Sequence, residues 1–386
     1  MSEPGLRLLR LTLGRFRNFT SLRWEPGAPL VVITGANGTG KTNLLESISY
    51  LAPGRGLRAA RVADVASGGA GKWAVNGRLA TPLGPAEIGT GTTDEAPDRR
   101  LFRLDGTAPR TQAELASRFA CVWLTPQMDR LFQEAASGRR RFLDRLVYAL
   151  EPGHARSVSA HDTALSERRR LLAEPRWDAA WMDGLEEELA RHAVAATAAR
   201  AGLIAQLNAA LAGGIAGRFP AARLDLLCPI GERLALSPAL AVEDWLRETL
   251  AASRARDGAA GSAAFGAHRA DLGMADLASG TPAAQASTGQ QKALLIGVIL
   301  GHAALLARAR GAAPLLLLDE PAVHLDADRR TALFEALLAL PAQAFLTGTD
   351  SDVFAPLAGQ AAFFRTGGDA LHADPSYQLH LVDKHG

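Results

Sequence analysis

The spacing of apolar residues predicts two strand-containing parts separated by a helical segment. Near the start, residues 6–13 alternate loosely between apolar and polar side chains, and the β-branched run Leu30–Thr34 ends at a glycine; both patterns predict strands. Towards the end, Leu315–Leu318 is wholly apolar and residues 344–347 are similar, as in strands that are buried on both faces. Parallel strands flanked by helices at both ends predict one α/β domain that carries an insertion.

The middle of the chain has helical spacing from about Gln127 onwards. Its longest stretch runs some 35 residues from Ala179 and is rich in Ala, Leu, Glu and Arg, which predicts an antiparallel helical arm or a coiled-coil-like hairpin. Residues 70–110 contain many Gly, Thr and Pro between short strand-like pieces, which predicts an antiparallel β layer. We therefore expect a head built from residues 1–125 and 261–386, with an arm formed by residues 126–260.

Two features predict a soluble, cytoplasmic protein without a membrane partner. The longest apolar run, residues 293–307, contains His302 and is shorter than the roughly 20 residues of a membrane span, so it predicts a buried core helix. The first residues place an acid at position 3 and arginines between apolar side chains, unlike a signal peptide. Cys121 and Cys228 are too few for a disulfide framework and lie in no zinc-type cluster, so we expect both to be buried.

The net charge of the chain is small, but the basic residues are concentrated in its first part. The net charge is +2, which excludes a histone-like polycation, but residues 1–145 carry 21 basic and 13 acidic side chains. This excess suggests an anionic partner for the first part of the chain, and a surface of solvated arginines explains it equally well. Only four of the 42 basic residues are lysines, at positions 41, 72, 292 and 384, which singles out each lysine for inspection.

The clearest chemical signal is the segment Gly35-Ala-Asn-Gly-Thr-Gly-Lys41-Thr42, which matches GxxxxGK[ST] between a predicted strand and a predicted helix. Its glycines let backbone N–H groups wrap around phosphate, and the start of the helix adds its positive end. Lys41 then reaches the β and γ phosphates of a nucleotide, and the Thr42 hydroxyl binds Mg²⁺. We therefore predict a phosphate-binding loop.

A second signal supplies the acids that such a loop requires. The apolar strand Leu315–Leu318 ends in Asp319 and Glu320. Asp319 stands at the strand's end, where it can meet Mg²⁺, and Glu320 is placed to polarise an attacking water. We predict that Lys41, Asp319 and Glu320 are the catalytic residues.

A third segment, Ser287-Thr-Gly289-Gln290-Gln291, resembles the signature motif of ABC ATPases, and residues 324–326 resemble their D-loop. A Ser/Gly-rich helix cap is the alternative interpretation of the first string. The superfamily resemblance implies a nucleotide held between two protomers, with the P-loop of one facing Ser287 and Gly289 of the other. Gln127 occupies the place of the Q-loop residue, which contacts nucleotide and metal, although Thr125-Pro126 reads equally well as the start of a helix.

The combination resembles the RecF family of bacterial recombination mediators over nearly the whole chain. The gap of 245 residues between Thr42 and Ser287 exceeds that of a typical transporter ATPase and is far too short for the coiled coil of SMC or Rad50 proteins. The matching strings are Arg15-Phe-Arg-Asn-Phe19, residues 33–58, Arg139-Arg-Arg-Phe-Leu-Asp144, Phe265-Gly-Ala-His-Arg-Ala-Asp271, residues 286–291 and LLLLDEP. The fold implied is an ABC-type ATPase head, α/β, with an antiparallel β layer and a short SMC/Rad50-like helical arm.

The resemblance also implies ligands, partners and a cellular role. ATP and Mg²⁺ are the cofactors, with Thr42, Asp319 and Gln127 at the metal. ATP would drive a homodimer that clamps duplex DNA, gapped DNA and single-strand/duplex junctions, and slow, DNA-stimulated hydrolysis would release it. Mediator proteins of the RecR and RecO type would then load recombinase at gaps, in support of replication restart and SOS induction. The residues implied at ATP are Gly35, Ala36, Asn37, Gly38, Thr39, Gly40, Lys41, Thr42, Gln127, Ser287, Gly289 and Gln290.

Several points stay open at this stage. Residues 345–350 lack the switch histidine of many ABC ATPases, which argues against fast hydrolysis, and the RecF family also tends to carry threonine there. His268, Arg269 and Asp271 have no assigned role, and a structural ion pair explains them equally well. The alternatives to a RecF-like ATPase are a transporter ATP-binding subunit and a DNA-binding scaffold with a vestigial nucleotide site. The arginines that are candidates for DNA contacts are Arg55, Arg58, Arg61, Arg99, Arg100, Arg103 and Arg139–Arg141.

Overall fold

The structure, a computed structural model of the chain, describes residues 5–69 and 71–377. Residues 1–4, Ala70 and residues 378–386 lie outside the described residues, and so do the sequence-based expectations for them, including Lys384. The described part forms two compact units. The first contains residues up to Asp129, residues 214–220 and residues from Ser287 onwards; the second contains residues 130–213 and 221–286.

The strands are numbered in chain order. They are β1 Arg7–Phe16, β2 Phe19–Trp24, β3 Leu30–Thr34, β4 Ala74–Thr81, β5 Gly84–Thr93, β6 Ala96–Leu104, β7 Cys121–Leu124, β8 Ala222–Leu227, β9 Asp271–Asp276, β10 Leu315–Leu318, β11 Ala344–Gly348, β12 Ala362–Gly367 and β13 Ala370–Ala373.

The α-helices are numbered in the same way. They are α1 Lys41–Ser49, α2 Gln112–Arg118, α3 Ala136–Leu150, α4 His154–Leu172, α5 Ala179–Ala212, α6 Pro229–Leu234, α7 Ala239–Ala252, α8 Arg254–Ala260, α9 Thr288–Arg310 and α10 Ala327–Ala339.

A six-stranded sheet forms the centre of the first unit, in the order β13-β12-β3-β11-β10-β7. All neighbouring strands run parallel except β13, which pairs with β12 in the antiparallel sense. Every residue of β3, β10 and β11 is buried, because a parallel sheet has both faces covered. The predicted strands Leu30–Thr34, Leu315–Leu318 and 344–347 therefore belong to one sheet.

A second, antiparallel sheet of five strands has the order β2-β1-β4-β5-β6. It contains the β layer expected within residues 70–110, joined by the first two strands of the chain. Side chains along β1 and β4 alternate between buried and exposed, so one face packs on the core of the unit and the other faces solvent. Phe16, Tyr50 and Trp73 meet in edge-to-face contacts on the buried side.

Helix α9 is the core helix expected from the apolar run at residues 293–307. On length and composition both α5 and α9 could cross a membrane, but 72% of the most apolar window of α9 is buried inside the protein. Gly297 allows the segment Gly214–Pro220 to approach closely, since a Cβ there would lie 3.0 Å from the carbonyl oxygen of Pro220. This contact explains why residues 214–220 belong to the first unit, although the sequence places them in the arm.

The second unit consists mainly of helices. Helices α4 and α5 are joined by a short connection and form the predicted helical hairpin. Strands β8 and β9 form a two-stranded sheet that was not predicted. Their pairing explains why residues up to Ala286 belong to the second unit. The boundary expected at residue 261 had placed these residues in the head. Cys228, like Cys121 in the first unit, is free and buried.

Buried ion pairs hold the helices of the second unit together. Arg168 is 1% exposed and donates hydrogen bonds to Glu186 Oε1 at 2.9 Å, to Asp257 Oδ2 at 2.9 Å and to the Leu250 carbonyl at 2.8 Å. Both carboxylates are also buried. A single guanidinium therefore satisfies acids on α5 and α8 from its position on α4.

Replacing Arg168 with methionine should lower the free energy of unfolding by about 3–5 kcal/mol, because the buried carboxylates of Asp257 and Glu186 each lose a hydrogen-bonded cation and Glu186 keeps only its pair with Arg254. The matched control is Arg169→Met, at the exposed neighbouring position, which should change stability by no more than about 0.5 kcal/mol. Chemical denaturation followed by circular dichroism measures both variants. Equal midpoints for the two would show that the buried cluster does not stabilise this unit.

Candidate nucleotide site

The candidate site lies in the first unit, at the edge where the parallel strands end. The register pairs Thr34 of β3 with Gly348 of β11, and Leu318 of β10 with Leu346 of β11 and Leu124 of β7. The segments after β3, β10 and β7 therefore leave the sheet at the same edge. These segments carry the glycine loop, the two acids and the turn that contains Gln127.

The glycine loop has a backbone conformation that requires its glycines. Gly35, Gly38 and Gly40 have φ angles of 151°, 83° and 101°. A Cβ on Gly35 would lie 2.4 Å from the Thr366 hydroxyl, and one on Gly40 would lie 2.4 Å from the Asn18 amide nitrogen. The loop is therefore closely packed on its outer side, and Gly40 caps the start of α1.

Lys41 folds back over this loop. Its ammonium group donates to the carbonyl oxygens of Gly35 at 2.7 Å and Ala36 at 3.0 Å, and lies 3.7 Å from Glu320 Oε1. Lys41 as a whole is 5% exposed. The structure thus brings the predicted phosphate-binding lysine together with the predicted catalytic glutamate.

Thr42 and Asp319 meet directly. The Thr42 hydroxyl lies 2.9 Å from Asp319 Oδ2 and 3.1 Å from Oδ1. Both are oxygen groups of the kind that Mg²⁺ prefers. Thr42 also lies in the first turn of α1, where the helix dipole favours the negative charge of a phosphate. Among the described residues no three His, Cys, Asp or Glu side chains cluster, so a cation here would take further ligands from nucleotide and water.

Thr347 holds both acids from the neighbouring strand β11. Its hydroxyl donates to Asp319 Oδ1 at 2.7 Å and accepts a hydrogen bond from the Glu320 backbone N–H at 2.9 Å. Thr347 is completely buried. Thr347, in the segment that lacks a switch histidine, therefore fixes the acids in place.

The Arg15–Phe19 string supports the loop from outside, a role that sequence reasoning did not assign. Asn18 accepts a hydrogen bond from the Asn43 amide at 2.6 Å and donates to the Gly368 carbonyl at 2.9 Å. Arg17 makes two hydrogen bonds, at 2.7 and 2.9 Å, with the completely buried carboxylate of Glu46 on α1, which raises the pKa of Arg17. The turn between β1 and β2 thereby positions α1.

The signature string forms the N-terminus of α9. Ser287 is the N-cap and accepts from the Gln290 backbone N–H at 3.3 Å, while the Gln290 side chain accepts from the Ser287 N–H at 2.9 Å. This is a capping box, so the helix-cap interpretation of the sequence is correct as far as local structure goes. Ser287 and Gln290 remain exposed, and a Cβ on Gly289 would lie 2.8 Å from the His324 carbonyl.

Gln127 lies in a 3₁₀ turn, Pro126–Arg130, directly after β7. Its side chain is exposed. The strand end that precedes it is tied to the acids, because the Asp319 backbone N–H donates to the Leu124 carbonyl at 2.9 Å. The structure thus places Gln127 at the same sheet edge as the loop.

The candidate arginines fall into two groups. Arg100 is not available to a ligand, because it stacks on Tyr50 and Phe102, donates to the carbonyls of Tyr50, Ala52 and Gly54, and burial lowers its pKa to about 10. Arg58 donates to Asn43 and Glu46, Arg139 pairs with Asp271, and Arg140 donates to the Ala270 carbonyl. The exposed arginines that form no ion pair with a described residue are Arg55, Arg61, Arg99, Arg103 and Arg141.

The solvent-facing side of the antiparallel sheet carries further arginines that the sequence did not single out. Arg10 on β1 lies directly opposite Arg78 on β4. Two residues further along β1, Thr12 is opposite Arg23 on one side and Asn76 on the other. Asn76 is opposite Gly89, which in turn is opposite the candidate Arg103. The loose alternation of β1 contained this signal, but only strand pairing shows which arginines share a face.

The segment 268–271, in the second unit, has structural contacts. Asp271 receives two hydrogen bonds, at 2.7 and 2.8 Å, from Arg139, and Arg269 donates to the Ala263 carbonyl at 2.8 Å. Burial lowers the pKa of His268 to about 4, with its ring 5.5 Å from that of His161. A structural ion pair, one of the explanations left open for this segment, is therefore present, with Arg139 as the cation.

Comparisons with known proteins identify relatives across nearly the whole chain. The family model described as the RecF/RecN/SMC N terminal domain matches residues 7–362. The DNA replication and repair protein RecF of Mesorhizobium japonicum is 45% identical over 358 residues, covering 92% of this chain and 94% of that protein. RecF of Caulobacter vibrioides is 46% identical over 379 residues, covering 94% and 97%.

Solved structures give the same fold. The structure of the recombination mediator protein RecF-ATPrS in the RecFOR pathway superposes with a TM-score of 0.84 at 22% identity, covering 96% of this chain and 99% of that one. The Smc head domain from Pyrococcus furiosus gives a TM-score of 0.53 at 15% identity, covering 96% of each chain. The expected fold class, an ABC-type ATPase head with a helical insertion, is confirmed.

Replacing Thr347 with valine should lower the free energy of unfolding by about 1–3 kcal/mol, because the buried Glu320 N–H and the Asp319 carboxylate both lose a partner. Thr347→Ser keeps the hydroxyl and should retain most of that energy, and Thr349→Val, at an exposed position, is the control. Thermal and chemical denaturation measure all three. If the valine variant were as stable as the serine variant, the hydroxyl would not hold the acids.

Proposed function

Because this chain belongs to the RecF family of DNA replication and repair proteins, we propose that it binds ATP with Mg²⁺ and uses the nucleotide to join two copies of the chain on DNA. The observation that carries the proposal is the convergence of Lys41, Thr42, Asp319 and Glu320 at one edge of the parallel sheet. The relatives' names support the setting, since they are DNA replication and repair proteins.

The loop would hold the phosphates through its backbone. Glycines at positive φ turn N–H groups inward, and Lys41, now bonded to loop carbonyls, would exchange those bonds for phosphate oxygens. Thr42 and Asp319 would bind Mg²⁺, with Gln127 from the turn after β7 as a further ligand. When bound, Mg²⁺ neutralises phosphate charge and polarises the γ-phosphoryl group. The RecF-ATPrS and RecF-ATP structures share this fold and support ATP as the nucleotide.

A second copy of the chain would complete the site. Ser287, Gly289 and Gln290 form a largely exposed helix start, whose N–H groups and dipole suit a phosphate. In the ABC ATPase arrangement this helix start faces the P-loop of the other protomer, so the nucleotide lies between two protein surfaces. ATP then acts as a switch on a monomer–dimer equilibrium, because it binds the dimer better than the monomer.

Hydrolysis would be slow and would serve to reset the switch. Glu320 lies beside Lys41 and would polarise the attacking water. Residues 345–350 include no switch histidine, and the Thr347 hydroxyl in this segment cannot relay a proton as an imidazole does. Turnover is therefore secondary to binding in this proposal, and DNA would stimulate it by stabilising the dimer.

DNA would be bound through its phosphates. Exposed arginines on the first unit, such as Arg55, Arg61 and Arg99, supply positive charge without a pattern that could read bases. Arg10 and Arg78 extend the positive surface on the solvent face of the antiparallel sheet. Such contacts favour duplex, gapped and junction DNA by shape, and they weaken as salt increases.

In the cell, the proposal places the protein in the cytoplasm, where DNA and ATP are available. Its clamp would mark single-strand gaps for mediator proteins of the RecR and RecO type, which load recombinase. Replication restart and SOS induction would follow from that loading. The RecFOR pathway named for the solved relative supports this setting.

Lys41→Ala should abolish ATP-dependent dimerisation, because the loop loses the cation that binds the β and γ phosphates. Sedimentation velocity with ATP, ADP and no nucleotide measures the dimer fraction. Lys72→Ala is the matched control: Lys72 is exposed, pairs with Asp94 on the surface at 2.6 Å, and should dimerise like the wild type. A Lys41→Ala variant that dimerised normally with ATP would contradict the proposal.

The same proteins distinguish the alternatives when ATP hydrolysis is measured with and without gapped duplex, and DNA binding with and without ATP. Stimulation by DNA supports the proposal. A hydrolysis rate that DNA does not change would favour a transporter ATP-binding subunit. An affinity for DNA that ATP does not change would favour a scaffold with a vestigial nucleotide site.

A further inference from the structure

Lys292 is a buried cation that connects α9 to the segment carrying Glu320. It lies five residues after Ser287, is 1% exposed, and its ammonium group contacts two partners. It donates to the Glu320 backbone carbonyl at 2.9 Å and pairs with Asp129 Oδ2 at 3.3 Å. In a chain with only four lysines, this one is buried beside the candidate catalytic glutamate.

The backbone at Glu320 needs such support. Its φ angle is +51°, in the left-handed region that a non-glycine residue with a long side chain rarely adopts. The N–H of Glu320 is held by Thr347 at 2.9 Å, and its carbonyl is held by Lys292 at 2.9 Å. The two hydrogen bonds fix the peptide groups on either side of the Cα, and thereby the direction in which the carboxylate leaves the chain.

The ion pair with Asp129 does not by itself account for a lysine here. Burying a lysine and a carboxylate together costs desolvation energy that their attraction only partly returns. Accordingly, burial lowers the pKa of Lys292 and raises the pKa of Asp129. The hydrogen bond to the Glu320 carbonyl is the contact that a neutral, apolar pair of side chains could not replace.

We propose that Lys292 is a positioning residue for Glu320: its ammonium group holds the left-handed backbone that aims the glutamate carboxylate at Lys41 and the γ-phosphate position. The inference rests on the proposed function, in which Glu320 polarises the attacking water. Because α9 starts at Ser287, Lys292 also connects the helix that meets the second copy with the glutamate that supports hydrolysis.

The test separates positioning from charge balance through two substitutions and their combination. Lys292→Met removes the donor and leaves Asp129 as an unpaired buried carboxylate. Asp129→Asn removes the counter-charge but keeps the donor, since even a neutral amine can hydrogen-bond to the Glu320 carbonyl. The double variant has neither charge and lacks the donor. Wild type and Glu320→Gln define the upper and lower limits of the rate.

Three quantities are measured for each purified full-length protein: the midpoint of thermal unfolding, the Kd for ATP, and the single-turnover rate of ATP hydrolysis with gapped DNA. We expect Asp129→Asn to hydrolyse within about threefold of wild type. We expect the double variant to recover the stability that Lys292→Met loses and to keep its ATP affinity, yet to hydrolyse about 10- to 100-fold more slowly than wild type.

A double variant that hydrolyses ATP at the wild-type rate would overturn the proposal, because Lys292 would then only balance Asp129. Asp129→Asn as slow as the double variant would overturn it as well, since the donor is still present. Equal rates for wild type and Glu320→Gln would instead refute the proposed role of Glu320, and with it any positioning role for Lys292.

Discussion

The contact between Thr42 and Asp319 is the constraint on which the site depends. These residues lie 277 positions apart, and the parallel register of β3, β11 and β10 brings them to hydrogen-bonding distance. A slip of one residue in either pairing would turn the side chains to opposite faces of the sheet. All three strands are buried, so the apolar core of the first unit determines where its polar edge lies.

Around this contact, polar groups from distant segments hold strained or crowded backbone. Asn18 packs against Gly40 and Thr366 against Gly35, where a Cβ would collide. Thr347 and Lys292 hold the peptide groups on the two sides of Glu320. The loop and the acids are therefore preorganised before any ligand binds, which lowers the cost of ordering them. The start of α9 at Ser287 is exposed, and in the proposed function a second copy of the chain covers it.

The sequence identified the features whose chemistry is local. The glycine loop, the Asp319-Glu320 pair after an apolar strand and the long helix near Ala179 each carry their own pattern, and together they pointed to the correct fold and family. Features that depend on tertiary pairing were missed. The boundary near residue 261 was misplaced because β9 pairs with β8, and Arg100 was counted with surface arginines although it closes the end of α1. Lys292 stood out only by the rarity of lysine, since its partners lie far away in sequence.

The central claim is that nucleotide at the P-loop controls binding to DNA. Fluorescence polarisation of a labelled gapped duplex, titrated with the full chain in ATP, ADP or no nucleotide over a salt series, tests it most directly. The account predicts tight binding with ATP, a steep decrease in affinity as salt increases, and much weaker binding with ADP or without nucleotide. Equal affinities and equal salt slopes in all three conditions would contradict it.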